Sequence, residues 1–335
     1  MHSPTEWLET DGLGGFAGGT VDGVRTRRYH GLLVAAATPP TGRMLLVNGL
    51  DAEVMTPRGR FALTAQRYAP DAVHPADVVP VDAFTAEPWP TWRWRLPDGT
   101  TVVHELFIAR VIARATSTVV LRWRQESTER GVMLGVRPYL SGRDYHALHH
   151  ENPNFRWDCE ERDGTHRWQP YPDVPPVHVR TNGARRDDAH WYRQVRYAEE
   201  LARGFECDED VAAPCVFEYD LDAADAVMML STHPTSRADA AESAVDTAAR
   251  HRRDELARRR AFASPLHRAA DQYIVRRGAG TSIIAGYPWF TDWGRDTFIA
   301  MRGLCLTTGR LDDARSMLVT WAGAISQGMI PNRFP

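Results

Sequence analysis

The arrangement of apolar residues changes near Ser236, and this change constrains the fold more than any other feature of the sequence. Before it, short apolar or alternating runs are separated by Gly, Pro, Asp and Asn, which is typical of strands joined by turns. The clearest runs are residues 32–34, 44–47, 92–96, 118–123 and 227–230. Many short strands with few helical stretches predict a large antiparallel β-sandwich over residues 1–234.

The residues after this change have a helical composition. From Ser236 onward the chain is rich in Ala, Glu and Arg, which predicts a helix over residues 235–263 that links two domains. Ser264 and Pro265 suit the N-cap and the first helical position of a second helix. We expect this second helix to extend to about Arg277.

Two more helices are predicted near the end of the chain, at residues 297–308 and 311–326, after a loop-like stretch at 282–285. Alternating helices with short loops indicate helical hairpins. We therefore interpret residues 264–335 as the first helices of an α-helical barrel that is not completed within the chain. The apolar helix faces in residues 304–330 would then lack the neighbours that cover them.

Composition excludes several classes of function. The 335 residues carry a formal net charge of −3, so neither nucleic acid nor an anionic membrane is an expected partner. All 40 residues counted as Lys or Arg are Arg, which excludes Schiff-base and P-loop lysines. Residues 1–15 lack the features of a signal peptide, and no run of 18 apolar residues follows. We expect a cytoplasmic protein; the oligomeric state is not predicted.

The sequence predicts no metal and no cofactor. On a helix, His146 and His150 would share one face at the spacing of metalloprotease ligands, but the glutamate required after the first histidine is missing. The cysteines have unrelated spacings without a CxxC pair: Cys159, Cys207, Cys215 and Cys305. We interpret them as reduced thiols.

A glycine-rich segment near the start of the chain, residues 7–20, precedes Arg27, Arg28, Tyr29 and His30. Closely spaced glycines permit close backbone approach, and arginine and aromatic side chains can bind and stack on a flat polar ligand such as a sugar. A phosphate-binding loop is not supported, because neither the GxGxxG nor the GKS/T spacing is present. A turn between edge strands with internally paired arginines remains an open alternative.

A second short segment carries more chemical information. Trp289, Phe290 and Trp293 lie beside Arg295 and Asp296, just before a predicted helix. Aromatic faces can stack on sugar rings, while an arginine donates to vicinal hydroxyl groups and an aspartate accepts from them. The alternative is that Asp296 only caps the helix and Arg295 is its ion-pair partner.

The N-terminal segments make the chain recognisable as similar to a known family. Residues 7–20, 25–34, 137–152, 191–200 and 206–210 resemble the N-terminal domain of bacterial and archaeal glycogen debranching enzymes. Asp11 and Gly18 depart from this resemblance, since Asn and Ser are expected at those positions. The resemblance implies that the sandwich belongs to an enzyme of glycogen catabolism, with Arg27 to His30 as possible glucan contacts.

The Trp-Gly-Arg-Asp run that ends at Asp296 resembles the terminal-glucose-binding corner of (α/α)6-barrel glucosidases. The resemblance implies that Arg295 and Asp296 hold hydroxyl groups of the glucose before the scissile bond. It continues over residues 302–304, 308–310 and 328–334, and the last of these adds Asn332 and Arg333 as candidates for substrate binding. The implied architecture is a β-sandwich followed by the first helices of an incomplete (α/α)6 barrel.

The two resemblances imply a glycoside hydrolase that removes α-1,6-linked glucose at branch points of glycogen, limit dextrin or a related α-glucan, with or without a 4-α-glucanotransferase step. An inverting mechanism needs two carboxylates about 6.5–9.5 Å apart. We expect both beyond Pro335, so the chain alone should be inactive. Asp292 lies only four residues from Asp296, and Asp296 is expected to orient the substrate. The alternatives are a non-catalytic α-glucan-binding module, a degenerate protein, or a sandwich that serves only as a scaffold.

Overall fold

A computed structural model describes residues 5–111 and 115–334 of the chain. In chain order the strands of the β-rich part are β1 (Glu6–Thr10), β2 (Phe16–Thr20), β3 (Gly31–Thr38), β4 (Thr41–Thr56), β5 (Gly59–Ala62), β6 (Gln66–Tyr68), β7 (Ala72–His74), β8 (Ala83–Thr85), β9 (Thr91–Arg95), β10 (Thr101–Val111), β11 (Thr116–Gln125), β12 (Met133–Asp144), β13 (Cys159–Arg162), β14 (Thr165–Trp168), β15 (Val177–Thr181), β16 (Ala184–Arg196), β17 (Asp208–Asp220) and β18 (Ala226–Ser231). A short helix, α1 (Ala198–Ala202), connects β16 to β17.

The elements after Ser231 are mainly helical. They are α2 (Arg237–Ala240), α3 (Ala244–Arg260), α4 (Pro265–Asp271), β19 (Ile274–Arg277), β20 (Gly280–Gly286), β21 (Phe290–Asp292), α5 (Gly294–Met301), a π-helical turn (Arg302–Leu306) and α6 (Leu311–Gly323). The change in architecture therefore occurs where the sequence predicts it.

The described strands form three antiparallel sheets. The first has the order β1-β2-β3-β4-β12-β17-β16-β6-β7, with β5 paired to β4. The second has the order β13-β14-β15-β18-β11-β10-β9-β8, and the third is β19-β20-β21. Each of the five predicted apolar runs lies in or overlaps a strand of the two large sheets, namely β3, β4, β9, β11 and β18, which confirms the strand prediction.

The two large sheets enclose a common core, as expected for a sandwich. Leu33 of the first sheet and Leu106 of the second belong to one buried apolar cluster. Their chain neighbours Val34 and Phe107 belong to two other clusters, on the outer faces of the two sheets. This alternation follows from the period of two along a strand, and it leaves each sheet with a second apolar face to cover.

Helix α3 covers the outer face of the second sheet, where Ala244 and Ala248 pack with Phe107. The single helix predicted after Ser236 is wrong in one respect, since the chain forms two helices there. The hydroxyl of Ser236 accepts a hydrogen bond from the backbone N–H of Asp239 in α2, and the hydroxyl of Ser243 accepts one from the backbone N–H of Asp246 in α3. A second capping serine therefore starts a new helix.

Two predictions are wrong around the small third sheet. Helix α4 begins at Ser264 and Pro265 as predicted, but it ends at Asp271 and not near Arg277. The stretch 282–285, predicted as a loop, lies in β20 and pairs with β19. Ile274 packs toward α5 and α6, whereas its neighbour Val275 packs against the first large sheet. Both faces of this short hairpin are buried, so its apolar residues show no helical or alternating surface pattern.

Helices α5 and α6 pack on the third sheet through Ile283, Met301 and Met317. Their other faces are open, since Ile299 of α5 and Leu311, Leu318 and Val319 of α6 are exposed. Exposed large apolar residues near these helices also include Leu306, Ile325, Met329 and Ile330. Leu318 and Val319 follow Leu311 by seven and eight residues, so the three side chains lie on one face of α6. Residues 304–330 therefore expose apolar helix faces, as the sequence predicts.

Within the described residues, no helix is long and apolar enough to cross a membrane. The four cysteine thiols are unpaired in the structure. The same residues contain no group of three or more His, Cys, Asp or Glu side chains placed to hold a metal ion.

A buried ion pair crosses the outer face of the first sheet. Arg143 on β12 and Glu209 on β17 face each other through two hydrogen bonds, one of them 3.1 Å long between Nη2 and Oε2. The hydroxyl of Tyr197 and the backbone N–H of His149 also donate to the carboxylate of Glu209. Burial alone would raise the pKa of Glu209, but the charge and hydrogen bonds of Arg143 hold that pKa below its ordinary value of 4.5.

Replacing Glu209 by glutamine should lower the free energy of unfolding by about 3–5 kcal/mol, because it leaves the guanidinium of Arg143 buried without a counter-charge. Urea unfolding at neutral pH measures the change. The matched change Glu242→Gln, at a partly exposed pair with Arg250, should cost less than about 1 kcal/mol. Equal losses in the two variants would contradict the importance of the buried pair.

The same pair predicts a dependence of stability on pH. Since the folded-state pKa of Glu209 lies below the unfolded one, its contribution is complete above pH 4.5 and is lost as the pH falls through the folded-state pKa. The acid-induced loss of stability should therefore be smaller in the Glu209→Gln variant.

The open face of α6 should make the chain self-associate with rising concentration, because no described element covers Leu318 and Val319. Replacing both by glutamate should shift the sedimentation profile toward monomer without lowering the melting temperature. Arg315→Glu, which adds negative charge to the same helix and removes no apolar surface, should not have this effect. A wild-type chain that stays monomeric at all concentrations would contradict the prediction.

Candidate functional site

The loop between β2 and β3 presents the four N-terminal candidates, and its charged groups are largely held by neighbouring side chains. Nδ1 of His30 accepts a hydrogen bond from the backbone N–H of Thr26 at 3.2 Å, and Nε2 lies 3.4 Å from the carboxylate of Glu6. Arg27 donates to Glu6 at 2.6 Å and approaches Glu199 at 3.4 Å. Hydrogen bonding to His30, assisted by Arg27, lowers the pKa of Glu6 to about 2, while burial lowers the pKa of His30.

Arg28 ties this loop to two other segments. Its guanidinium donates to the backbone oxygens of His146 and Glu206, each at 2.8 Å. The backbone N–H of Arg28 donates to the buried carboxylate of Glu200 at 3.3 Å. The loop is therefore a fixed part of the surface.

The structure brings this loop together with the aromatic segment that the sequence singles out far along the chain. The guanidinium of Arg27 lies 5.5 Å from the ring centroid of Trp289, and that of Arg203 lies 5.8 Å from it. The ring centroids of Tyr29 and Trp289 are 6.4 Å apart. Two segments predicted independently as sugar-binding therefore meet at the half-buried Trp289.

One residue of the first sheet and one in the turn after β12 hold the segment at Trp289 in place. Arg43 on β4 is fully buried and donates to the backbone oxygens of Gly14 at 2.7 Å and of Pro288 at 3.0 Å. The hydroxyl of Tyr145 donates to the backbone oxygen of Trp289 at 2.9 Å. Two consecutive carbonyl groups of the aromatic segment are thus bound by the sandwich.

The glycine-rich segment contributes to this attachment through its backbone. Gly14 has a φ of +99°, and a Cβ atom there would lie 2.5 Å from the backbone oxygen of Pro40. Only glycine fits this position without strain. The oxygen that Gly14 presents to Arg43 therefore has a structural function.

The other aromatic and acidic candidates lie around the start of α5. Phe290 is about half exposed, and its ring centroid is 6.3 Å from that of the partly buried Trp293. Asp292 is buried and accepts hydrogen bonds from Arg277 at 2.9 Å and Ser282 at 2.8 Å. Its carboxylate is engaged inside the fold.

Asn332 caps α5 from a distant part of the chain. Its backbone oxygen accepts from the N–H of Gly294 and its Oδ1 accepts from the N–H of Arg295, both at 2.9 Å. Trp293, and not Asp296, occupies the N-cap position, and Asp296 lies in the first turn. Within the described residues, Arg295 and Asp296 form no ion pair. Their side chains are accordingly available at the surface.

Arg333 connects the end of the described chain to the sandwich electrostatically. Burial raises the pKa of Tyr145 and lowers that of His146, and the charge of Arg333 acts on both groups by lowering their pKa values. The N-terminal loop and Trp289 thus meet at the junction between the first large sheet and the third sheet, and the other candidates lie at the start of α5 and at the end of the described chain.

The helical arrangement considered for His146 and His150 is wrong, because residues 145–150 form a turn and loop. Nδ1 of His146 lies 3.1 Å from the hydroxyl of Tyr29, whereas His150 faces Glu206 and Asp210 at 3.8 and 3.9 Å. The two imidazoles therefore have separate neighbours.

Sequence reasoning missed Arg43, Tyr145 and Arg203 at this junction. Tyr145 lies within the recognisable segment 137–152, which could have indicated it. Arg43 and Arg203 lie outside every motif, and only the tertiary contacts reveal them.

Two family models match most of the chain. The family model described as "Glycogen debranching enzyme N terminal" matches residues 5–228, and the model described as "Amylo-alpha-1,6-glucosidase" matches residues 268–335. A glycogen debranching enzyme of Saccharomyces cerevisiae is 45% identical over 56 residues, covering 15% of this chain and 4% of the yeast protein. The crystal structure of a bacterial glucoamylase complexed with acarbose aligns with a TM-score of 0.43 and 12% identity, covering 99% of this chain and 53% of that one.

The two matched models describe a family of enzymes of the glycoside hydrolase type. More particularly, the chain belongs to the glycogen debranching enzyme family, whose N-terminal region accounts for residues 5–228. The chain spans only 4% of the yeast relative and 53% of the glucoamylase.

Replacing Tyr145 by phenylalanine should cost about 1 kcal/mol of stability and loosen the aromatic segment, because the backbone oxygen of Trp289 loses its donor. Hydrogen–deuterium exchange should become faster in residues 286–293. Tyr171→Phe removes a hydroxyl bonded to His149 and Asn152 instead, so it should leave exchange in that segment unchanged. Unchanged exchange in the Tyr145→Phe variant would contradict the role assigned to this hydroxyl.

Proposed function

We propose that the chain is the front part of a debranching glucosidase that hydrolyses α-1,6-linked glucose at branch points of glycogen, limit dextrin or a related α-glucan. The observation that carries this proposal is the meeting of the N-terminal loop with the aromatic segment at Trp289. Each segment belongs to a different matched region of the family. Their contact makes one surface with both stacking rings and hydrogen-bonding groups.

The side chains at this surface suit a glucosyl unit. The exposed ring of Phe290 and the partly buried rings of Trp289 and Trp293 can stack on the apolar faces of pyranose rings. Arg295 donates hydrogen bonds to hydroxyl groups of the sugar, and Asp296 accepts hydrogen bonds from them. Both side chains can do so because neither forms an ion pair within the described residues.

The remaining candidates position or flank this unit. Asn332 fixes the first turn of α5, and Arg333 supplies charge beside Tyr145 and His146. Arg27, Arg28, Tyr29 and His30 form the opposite rim, where their internal contacts keep the loop rigid.

The residues of this chain bind and orient the substrate, and the proton transfers belong to carboxylates beyond Pro335, a residue outside the described part of the structure. Hydrolysis requires an acid and a base on opposite sides of the scissile bond. Asp292 is buried against Arg277 and is poorly placed to reach a substrate. The chain alone should then be inactive.

The proposed layout is a sandwich domain over residues 1–234, a helical linker over 235–263, and the first helices of an incomplete (α/α)6 barrel over 264–335. Helices α5 and α6, with their open apolar faces, would begin that barrel. A cytoplasmic location, a glucan partner and the absence of a cofactor complete the proposal. A transferase step could precede hydrolysis in the whole protein.

The purified 335-residue chain should bind limit dextrin and release no glucose from it. Asp296→Ala should weaken binding at least about tenfold, because the hydroxyl groups of the bound glucose lose a charged acceptor. Isothermal titration calorimetry and a coupled glucose assay measure the two quantities. Asp254→Ala, which removes an exposed aspartate of α3, is the matched control and should leave affinity unchanged.

Glucose release by the wild-type chain, well above the Asp296→Ala background, would show that the catalytic pair lies within the chain. A truncated chain that ends after α3 tests the alternative of a non-catalytic binding module. This end point keeps Phe107 covered, whereas ending at Pro234 would expose it. Retained glucan affinity in the truncated chain would favour the binding-module alternative.

A further inference from the structure

The connection between β16 and β17, residues 197–207, projects beside Trp289 and has a firmly held base. The backbone N–H of Tyr197 donates to the backbone oxygen of Cys207 at 2.8 Å, and the backbone N–H of Glu199 donates to the backbone oxygen of Thr26 at 2.9 Å. The carboxylate of Glu200 is buried and interacts with Arg28. Both ends of the connection are therefore fixed to the sandwich and to the N-terminal loop.

The tip of this connection is exposed. Phe205 is 58% exposed, and the guanidinium of Arg28 lies 5.9 Å from its ring centroid. Arg203 is exposed as well, and its guanidinium is held 5.8 Å from the ring of Trp289. Within the described residues, the Arg203 side chain forms no hydrogen bond or ion pair, so all its N–H donors are available. This distinguishes Arg203 from Arg27, which is paired with Glu6 and Glu199.

We propose that Arg203 and Phe205 form a second contact site for the α-glucan chain, adjoining the glucosyl unit bound at Trp289 and Asp296. The inference rests on the proposed function. Arg203 donates to hydroxyl groups of a neighbouring glucosyl unit, and Phe205 offers a ring on which a further unit stacks. Trp289 and Phe205 lie in different parts of the fold; Arg203 contacts the ring of Trp289 and belongs to the same connection as Phe205, which suits a ligand longer than one sugar.

The charges around the connection favour a neutral chain over an anionic one. The partly exposed Glu199 and the exposed Glu206 belong to the same connection as Arg203 and oppose the accumulation of negative charge there. The fixed base also favours binding, because little conformational entropy is lost when the ligand is ordered against a rigid loop.

Calorimetric titration of the full 335-residue chain with maltohexaose and with methyl α-D-glucopyranoside tests the site. Arg203→Ala and Phe205→Ala should each weaken maltohexaose binding about tenfold while leaving the monosaccharide affinity unchanged. Arg253→Ala, which removes an exposed arginine of α3, is the matched control and should bind both sugars as the wild type does. Both targeted side chains are exposed, so unaltered thermal unfolding is expected and is measured in parallel.

Three results would overturn the inference, and they are distinguishable. Equal maltohexaose affinity in the wild type and in both variants would reject the second site and leave the proposed function intact. An equal loss for both sugars would show that Arg203 only supports Trp289. A wild-type chain that binds neither sugar would reject the proposed function together with the second site.

Discussion

The buried ion pair between Arg143 and Glu209 is the interaction on which the candidate site depends. Arg143 also donates to the backbone oxygens of Arg28 at 2.7 Å and Tyr145 at 3.2 Å, while Glu209 accepts from the backbone N–H of His149. A single charged pair therefore fixes the N-terminal loop and the loop after β12. Because both charges are removed from water, neither loop can move away without leaving a buried group unpaired, which makes the arrangement rigid.

That rigidity is transmitted to the aromatic segment through backbone hydrogen bonds. Tyr145 follows Arg143 by two residues and binds the carbonyl group of Trp289, and Arg43 binds the carbonyl group of Pro288. Such bonds fix the backbone while leaving the rings of the segment free to meet a ligand. The sandwich thus determines the position of the stacking surface without covering it, which is the preorganisation that a binding site requires.

The sequence predicts the strands of the sandwich and the position of the architectural change because their patterns extend over many residues. It fails at β19 and β20, where Ile274 and Val275 are both buried and tertiary packing overrides the local pattern. Motif reasoning found Trp289 and Tyr29 separately but not their contact. Arg203 was missed because its importance depends on a contact with a residue far along the chain, and an isolated exposed arginine has no local signature.

The attachment of the helical part to the sandwich also needs a directional component. Apolar contact between Val275 and the first sheet is not directional and would allow the two parts to slide. Asp271 prevents this, since it pairs with Arg110 of the sandwich, Arg258 of α3 and Arg310 before α6. Burial opposes its ionisation, yet the three guanidinium groups keep the pKa of Asp271 below its ordinary value. Displacing α6 would separate these charges in a partly buried setting, so the sandwich acts as a structural part of the candidate site and not only as a spacer.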